Sequence, residues 1–350
     1  MSDRRIALWT VALVALIAAI AYRISVFSEP PPPPTPQIVF ITGGSGPYWQ
    51  SAVAGAKSAA RATDVELAVA MPQADESLEQ QMEILMNLAP DVDGIAISPI
   101  DAAGQTHLIN KLVEKMRVVT FDSDAELSER HSHVGTSNFS AGRTCARMVG
   151  EALPEGGEIA VLMANQTKEN LIDRRGGFQE RISQMAIDDD NPSAPPRYVV
   201  VGYFEDNGSD QRCAQNIRDA LAKFPGLDCF VGLNARHGPV LIATLKELGK
   251  LGQIKLVTFD ALPQTLDAIE QGQIYATIAQ DPYNFGYQAV TTLAKLCQGH
   301  GTDLPIVGKG SNYLGAEAIK QDNLDNFRDK LRERQQATET SKPNTEKPAA

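Results

Sequence analysis

The 350-residue chain lacks the marks of several large functional classes. Its four cysteines, Cys145, Cys213, Cys229 and Cys297, form no Cys-x-x-Cys pair, so no zinc site is expected and no metal or cofactor is called for. None stands before Cys145, which excludes a lipid-modified cysteine near the N-terminus. Cys213 and Cys229 are either a disulfide, in an oxidising compartment, or two buried thiols; their spacing does not decide between these. Basic residues are in deficit. The 32 Lys and Arg against 43 Asp and Glu give a net charge of −11, which argues against nucleic acid or an anionic membrane surface as partner. The glycines around Gly43 to Gly46 complete neither GxGxxG nor a loop ending in Lys-Ser/Thr, so the signal for a phosphate cradle is weak.

What is present begins with an apolar segment. Arg4 and Arg5 precede a run from Ile6 to Ala21, the pattern of an export signal, and Ala19-Ile20-Ala21 offers a cleavage site. Continued to Phe27 across Arg23, the run is also long enough for a tilted membrane anchor. Either way the basic flank places the remainder outside the cytoplasm, in the periplasm or cell envelope. Pro30 to Pro34 and Pro36 then form a stiff spacer. At the other end, the polar stretch from about Glu333 to Ala350 is expected to be disordered.

Between them, short apolar strands alternate with amphipathic helices, and 43% of the chain is hydrophobic. Such alternation predicts an α/β body with parallel sheets covered by helices on both faces. The stretch Ile254 to Tyr287 is the clearest example. Leu256, Val257 and Phe259 form a strand that stops at Asp260; Pro263 opens a helix that Gly272 closes; a second strand stops at Gln280. Both strands point the same way, so Asp260 and Gln280 emerge at one carboxyl edge, where open α/β sheets bind small ligands. Tyr48 and Trp49, at the start of the first helix beside a sheet edge, suit stacking on a ring.

In order and spacing these segments resemble the type I periplasmic binding proteins, specifically the ribose-binding-like substrate-capture components of sugar ABC transporters. The resemblance runs from about Gln37 to Asp325. It rests on Pro47-Tyr48-Trp49, ISPID at Ile97 to Asp101, VVTFDSDA from Val118, VGTSN and AG at Val134 to Gly142, NLIDRRGGF from Asn170, and the Ile254 to Tyr287 stretch. It implies two doubly wound parallel-sheet lobes joined by a three-segment hinge near Asn138, Gln280 and Gly310. The N-terminal lobe would comprise 37–137 with 281–309, and the C-terminal lobe 138–280 with 310–332; residues 1–36 and 333–350 lie outside both.

The resemblance also implies ligand contacts from Tyr48, Trp49, Asp122, Asn170, Arg174, Asn234, Asp260 and Gln280. Ser123 joins this set in place of an arginine that ribose binders carry after the first acid. Planar carboxylate, amide and guanidinium groups make paired hydrogen bonds to vicinal hydroxyls. The second-lobe aromatic of ribose binders, near Gly208, is missing, and Tyr203 or Phe204 stands nearest as a substitute. His237 is placed at the rim as a solvent-facing helix cap. The expected function is therefore capture of a sugar or small polyol, without catalysis, by a monomer that delivers it to an ABC permease. A membrane-tethered sensor presenting sugar to a receptor is the alternative. A sugar-responsive repressor would need a DNA-binding segment, which residues 1–36 do not supply. A glycosidase built on Asp122, Asp260 and Asp281 is the remaining reading.

Overall fold

The computed structural model describes residues 2–27, 34–187, 191, 194–299 and 310–340. The chain divides into two units, Met1–Thr35 and Pro36–Ala350. The first is a helix, α1 (Ser2–Phe27), whose large apolar side chains from Leu8 to Ile20 are all at least half exposed. Among the described residues no helix is long and apolar enough to cross a membrane.

The second unit starts with β1 (Gln37–Ile41), α2 (Pro47–Thr63), β2 (Glu66–Ala70), α3 (Leu78–Met86), β3 (Gly94–Ile97), α4 (Ala102–Val113), β4 (Arg117–Asp122) and β5 (Ser132–Thr136). The chain then crosses to a second sheet. There it forms α5 (Asn138–Ala152), β6 (Gly157–Met163), α6 (Glu169–Ala186), β7 (Tyr198–Glu205), α7 (Asp210–Lys223), β8 (Leu227–Gly232), α8 (His237–Glu247), β9 (Lys255–Phe259), α9 (Pro263–Glu270) and β10 (Ala276–Ala279). It returns through α10 (Pro282–Cys297) and β11 (Ser311–Leu314), crosses once more to β12 (Glu317–Ile319), and continues as α11 (Leu324–Thr340).

The two six-stranded sheets run β11-β5-β4-β3-β1-β2 and β12-β10-β9-β8-β6-β7. Pairing is parallel throughout, except that β12 lies antiparallel on β10. Helices cover both faces, so inner strands such as β3, β8, β9 and β10 are buried almost throughout and read as continuous apolar runs. In the first sheet Phe40 and Phe121 pack with Phe285 on one face, while Ile41, Ile95 and Val118 pack with Ile109 on the other. In the second, Val161 and Phe259 pack against Phe178, and Leu162 and Phe230 against Leu241. Helix starts follow local chemistry: Pro47, Pro263 and Pro282 each sit in a first turn, and Asp281 accepts from the backbone N–H of Asn284 at 3.2 Å.

Two expectations change, and the choice left open at the cysteines is resolved. The third crossing is not at Gly310: residues 311–314 extend the first sheet by pairing with β5, so the chain crosses at 315–316. Both edge strands are short and half-exposed, and neither carries an apolar alternation. The tail is not disordered from Glu333, because α11 runs to Thr340, anchored by Leu324, Phe327 and Leu331 on the second core. All four cysteines are free thiols. Parts of the proline tract (30–33), of the 188–196 loop and of the tail (341–350) fall outside the described residues.

The closest helix pair of the second lobe, α5 with α6, crosses at glycine. A Cβ on Gly177 would lie 1.9 Å from the carbonyl oxygen of Phe139, whereas one on Gly176 would meet only the Phe139 ring at 3.6 Å. Gly177→Ala should therefore destabilise by about 1–3 kcal/mol through forced separation of the helices. Gly176→Ala should be neutral or stabilise by up to about 1 kcal/mol through helix propensity. Thermal melts of the two variants give the comparison; equal midpoints would show that the crossing is not tight.

Candidate functional site

The carboxyl ends of both sheets line one cavity, with contributions from Tyr48, Trp49 and Asp122 of the first lobe and Asn170, Arg174, Asn234, Asp260 and Gln280 of the second or its hinge. Asp122 closes β4, and Asp260 follows β9, the strand that holds the same place in the other sheet. Both have left-handed backbones, with φ of 59° and 65°. Asp tolerates that region better than most residues, but it still costs roughly 1–3 kcal/mol and tends to mark functional sites.

Each carboxylate is tied down. Asp122 accepts from the Tyr48 hydroxyl at 2.6 Å, the Ser98 hydroxyl at 2.9 Å and the Asn170 amide at 3.3 Å. Burial, with Asp122 adding to it, pushes the Tyr48 phenol well above its usual value, so it remains a donor. Asp260 accepts from the Gln280 amide at 2.8 Å, and the Gln280 carbonyl accepts from Arg174 at 2.8 Å. Arg174 is 2% exposed. Its Nε donates to Asn138 at 2.9 Å and its Nη1 to the Leu233 carbonyl at 2.7 Å, and its guanidinium carbon sits 4.6 Å from the centroid of the Phe259 ring. Three different elements thus fix it in place. Asn170 is buried with its carbonyl oxygen unpartnered, a group that a ligand hydroxyl can satisfy. Trp49 stands edge-on to Tyr48, with centroids 5.2 Å apart.

Several cavity groups carried no signal in the sequence. Lys168 reaches from the second lobe into the first. It sits 3.0 Å from Glu76, 3.8 Å from Asp122 and 4.9 Å from the Trp49 ring centroid. Glu76 also accepts from Asn165 at 2.7 Å, and beside it Asp75 pairs with Arg236 at 2.8 Å. Loop residues Asp75 and Glu76 therefore bind the second lobe directly. Burial raises the Glu76 carboxyl, and Lys168 opposes that shift.

Three expectations fail. Ser123 is wholly buried and does not line the cavity; its hydroxyl has no hydrogen-bond partner. The left-handed turn at Asp122 presents that residue to the cleft and leaves its neighbour in the core. His237 is not a solvent-facing cap but 2% exposed, with Nδ1 accepting from the Asn234 N–H at 3.1 Å and Nε2 meeting Asp206 at 2.8 Å. Tyr203 instead stacks under Arg175, with its hydroxyl on Gln179, and Phe204 packs on the second core. Neither lines the cavity, and that wall is built from Asp206, Gly208 and Arg236 instead. Asp206, Cys213 and His237 bring possible metal-ligating atoms within 4.8 Å of one another. Because Nδ1 of His237 is an acceptor, its proton lies on Nε2 and points at Asp206. Burial also keeps the Cys213 thiol protonated. Asp206 and His237 are a hydrogen-bonded pair in that wall, with Cys213 beside them.

The profile of the periplasmic binding protein domain matches residues 38–301. The chain belongs to the periplasmic binding protein family. It is similar to the D-allose-binding periplasmic protein of Escherichia coli, with 21% identity over 69% of this chain and 78% of that protein. Among solved structures, a solute-binding protein from Burkholderia graminis in complex with D-arabinose superposes with a TM-score of 0.74 and 26% identity, covering 83% of this chain and 96% of the other. A glucose-galactose binding protein from Geobacillus stearothermophilus gives the same score and identity over 83% and 99%. The two-lobe type I fold and the ribose-binding-like relationship are thereby established, and this is a binding protein rather than a glycosidase.

Burial pushes the Asp260 carboxyl up to about 6, while Arg174 pulls it down and Asp122 adds to the rise. A carboxyl raised on folding contributes stability that is present below its unfolded value, ~3.9, and is lost as pH climbs through its folded value. Asp260→Asn should therefore melt above the wild type at about pH 7.5, with the advantage shrinking below about pH 6 and gone only below about pH 4. A variant less stable than wild type at the higher pH would mean that pairing with Arg174 outweighs burial.

Proposed function

We propose that this protein captures a neutral sugar between its lobes, outside the cytoplasm, and hands it to an ABC permease. The observation that carries the reading is the convergence of Asp122, Asp260, Arg174 and the unpaired Asn170 carbonyl on one cavity floored by Trp49. Such a set matches the alternating hydroxyls and apolar C–H face of a sugar. Relatives named for allose, arabinose, glucose and galactose support the class. Neutrality follows from charge: six acidic side chains line the cavity against Lys168, Arg174 and Arg236. Sugar phosphates and sugar acids are disfavoured accordingly. The hinge segments at 136–138, 279–282 and 315–316 support closure of the lobes on ligand.

The screen is a thermal-shift panel of aldopentoses and aldohexoses on the chain from Pro36, which contains both cores. A sugar at ~100 times its dissociation constant should add ~2.7 kcal/mol of stability. Arg174→Ala should weaken the best sugar roughly tenfold to a hundredfold, because hydrogen bonds to charged groups are worth about 1.5–3 kcal/mol. A panel with no response, alongside a response to an anionic ligand, would overturn the reading.

Export is supported by Arg4, Arg5 and the apolar run from Ile6 to Ala21. The same run, continued to Phe27, motivates retention as an anchor. A reporter that works only outside the cytoplasm, fused after Pro36, should be active; activity from a cytoplasm-only reporter at that position would contradict export.

A further inference from the structure

The sugar cavity is small, about 70 Å3. At ~10–15 Å3 per water on this measure, it holds about five to seven waters, the space of one monosaccharide. It is not isolated. A groove of about 920 Å3 lies beside it, and the two share Pro47, Tyr48, Asp260, Leu262 and Gln280 as walls. Tyr48 and Leu262 stand between the two, so a substituent on a bound sugar that passed them would enter the groove.

The groove runs between α2 of the first lobe and α9 and α11 of the second. Its α2 wall is made of Ser51 and Ala54, one helical turn apart, both half-buried and small. Opposite them Phe327 supplies a ring face. Arg328 is held by Asp267 at 2.8 Å and Glu270 at 2.9 Å, and with Asp260, Asp281 and Arg332 the groove carries four acids against two arginines. Small and apolar faces beside carboxylates that can accept from hydroxyls, with an acidic excess that disfavours anions as it does in the cavity, suit another neutral polyhydroxylated ring.

We propose that the ligand is a disaccharide or longer neutral glycoside, with one unit in the cavity and the next, linked past Tyr48 and Leu262, in the α2–α9–α11 groove. The inference rests on the sugar-binding reading and adds the size of its ligand. The wall that the groove shares with the cavity favours a ligand extension over a separate protein partner, whose site would have no need of it.

The test is calorimetric titration of the chain from Pro36 with the best monosaccharide and with disaccharides bearing that sugar at either end. At least one disaccharide should bind roughly tenfold tighter than the monosaccharide. Ala54→Trp, which fills the groove and touches no cavity residue, should abolish that gain and leave monosaccharide affinity unchanged. Ser51→Trp repeats the test from the next turn should the first variant fail to fold. Monosaccharide binding with every disaccharide excluded would overturn the extension alone, as would disaccharide binding indifferent to both substitutions; the latter would leave the groove to a protein partner. Absence of any sugar binding would remove the sugar reading and this inference together.

Discussion

Two buried carboxylates, one at the end of each sheet, set the constraint from which the rest of the site follows. Burial raises the cost of ionising Asp260, and the Asp122 carboxylate across the cleft adds to it. The protein offsets this with the charge of Arg174 and with hydrogen-bond donors. Tyr48, Ser98 and Asn170 hold Asp122, and Gln280 holds Asp260 while passing a hydrogen bond on to Arg174. Arg174 is in turn fixed through Asn138 at the first hinge segment. Site and hinge are therefore one hydrogen-bonded system, and lobe position and ligand contact cannot change independently.

The two lobes repeat this logic. Their sheets share a strand order, their acids occupy matching strand ends, and in each the principal helix pair packs through glycine. Gly286 of α10 meets the backbone of α2, as Gly177 of α6 meets that of α5. What breaks the repeat lies at the interface. Asp75 and Glu76 extend from the first lobe and pair with Arg236, Lys168 and Asn165 of the second. Those pairs are satisfied only when the lobes meet, so they add a contribution to closure that is separate from the sugar. With its partners removed, a buried carboxylate such as Glu76 is costly, which ties that contribution to correct docking of the 165–168 loop.

Much of this was legible in the sequence because strands buried on both faces announce themselves as apolar runs, and their ends announce the cleft. Asp260 and Gln280 are legible that way, whereas Asp122, Asn170, Arg174 and Asn234 come only from the family resemblance. β11 and β12 were not legible, since short half-exposed edge strands take their pairing from a neighbour and carry no periodicity of their own. Lys168, Glu76 and Arg236 were missed for a related reason. They lie in loops or at a helix start, and their partners are 92 residues away for Lys168 and 161 for Arg236. Ser123 was misplaced because only the backbone angle at Asp122 decides which of two adjacent polar residues faces the ligand.

The central claim is that the paired strand-end aspartates grip one sugar from opposite lobes. Its most direct test is calorimetric titration of Asp122→Asn, Asp260→Asn and Ser123→Ala with the best sugar. Each aspartate variant should lose roughly tenfold or more in affinity, the equivalent of at least ~1.4 kcal/mol, while Ser123→Ala binds as the wild type does. Wild-type affinity in either aspartate variant would contradict the account, since a ligand held by one lobe alone has no reason to draw the other onto it.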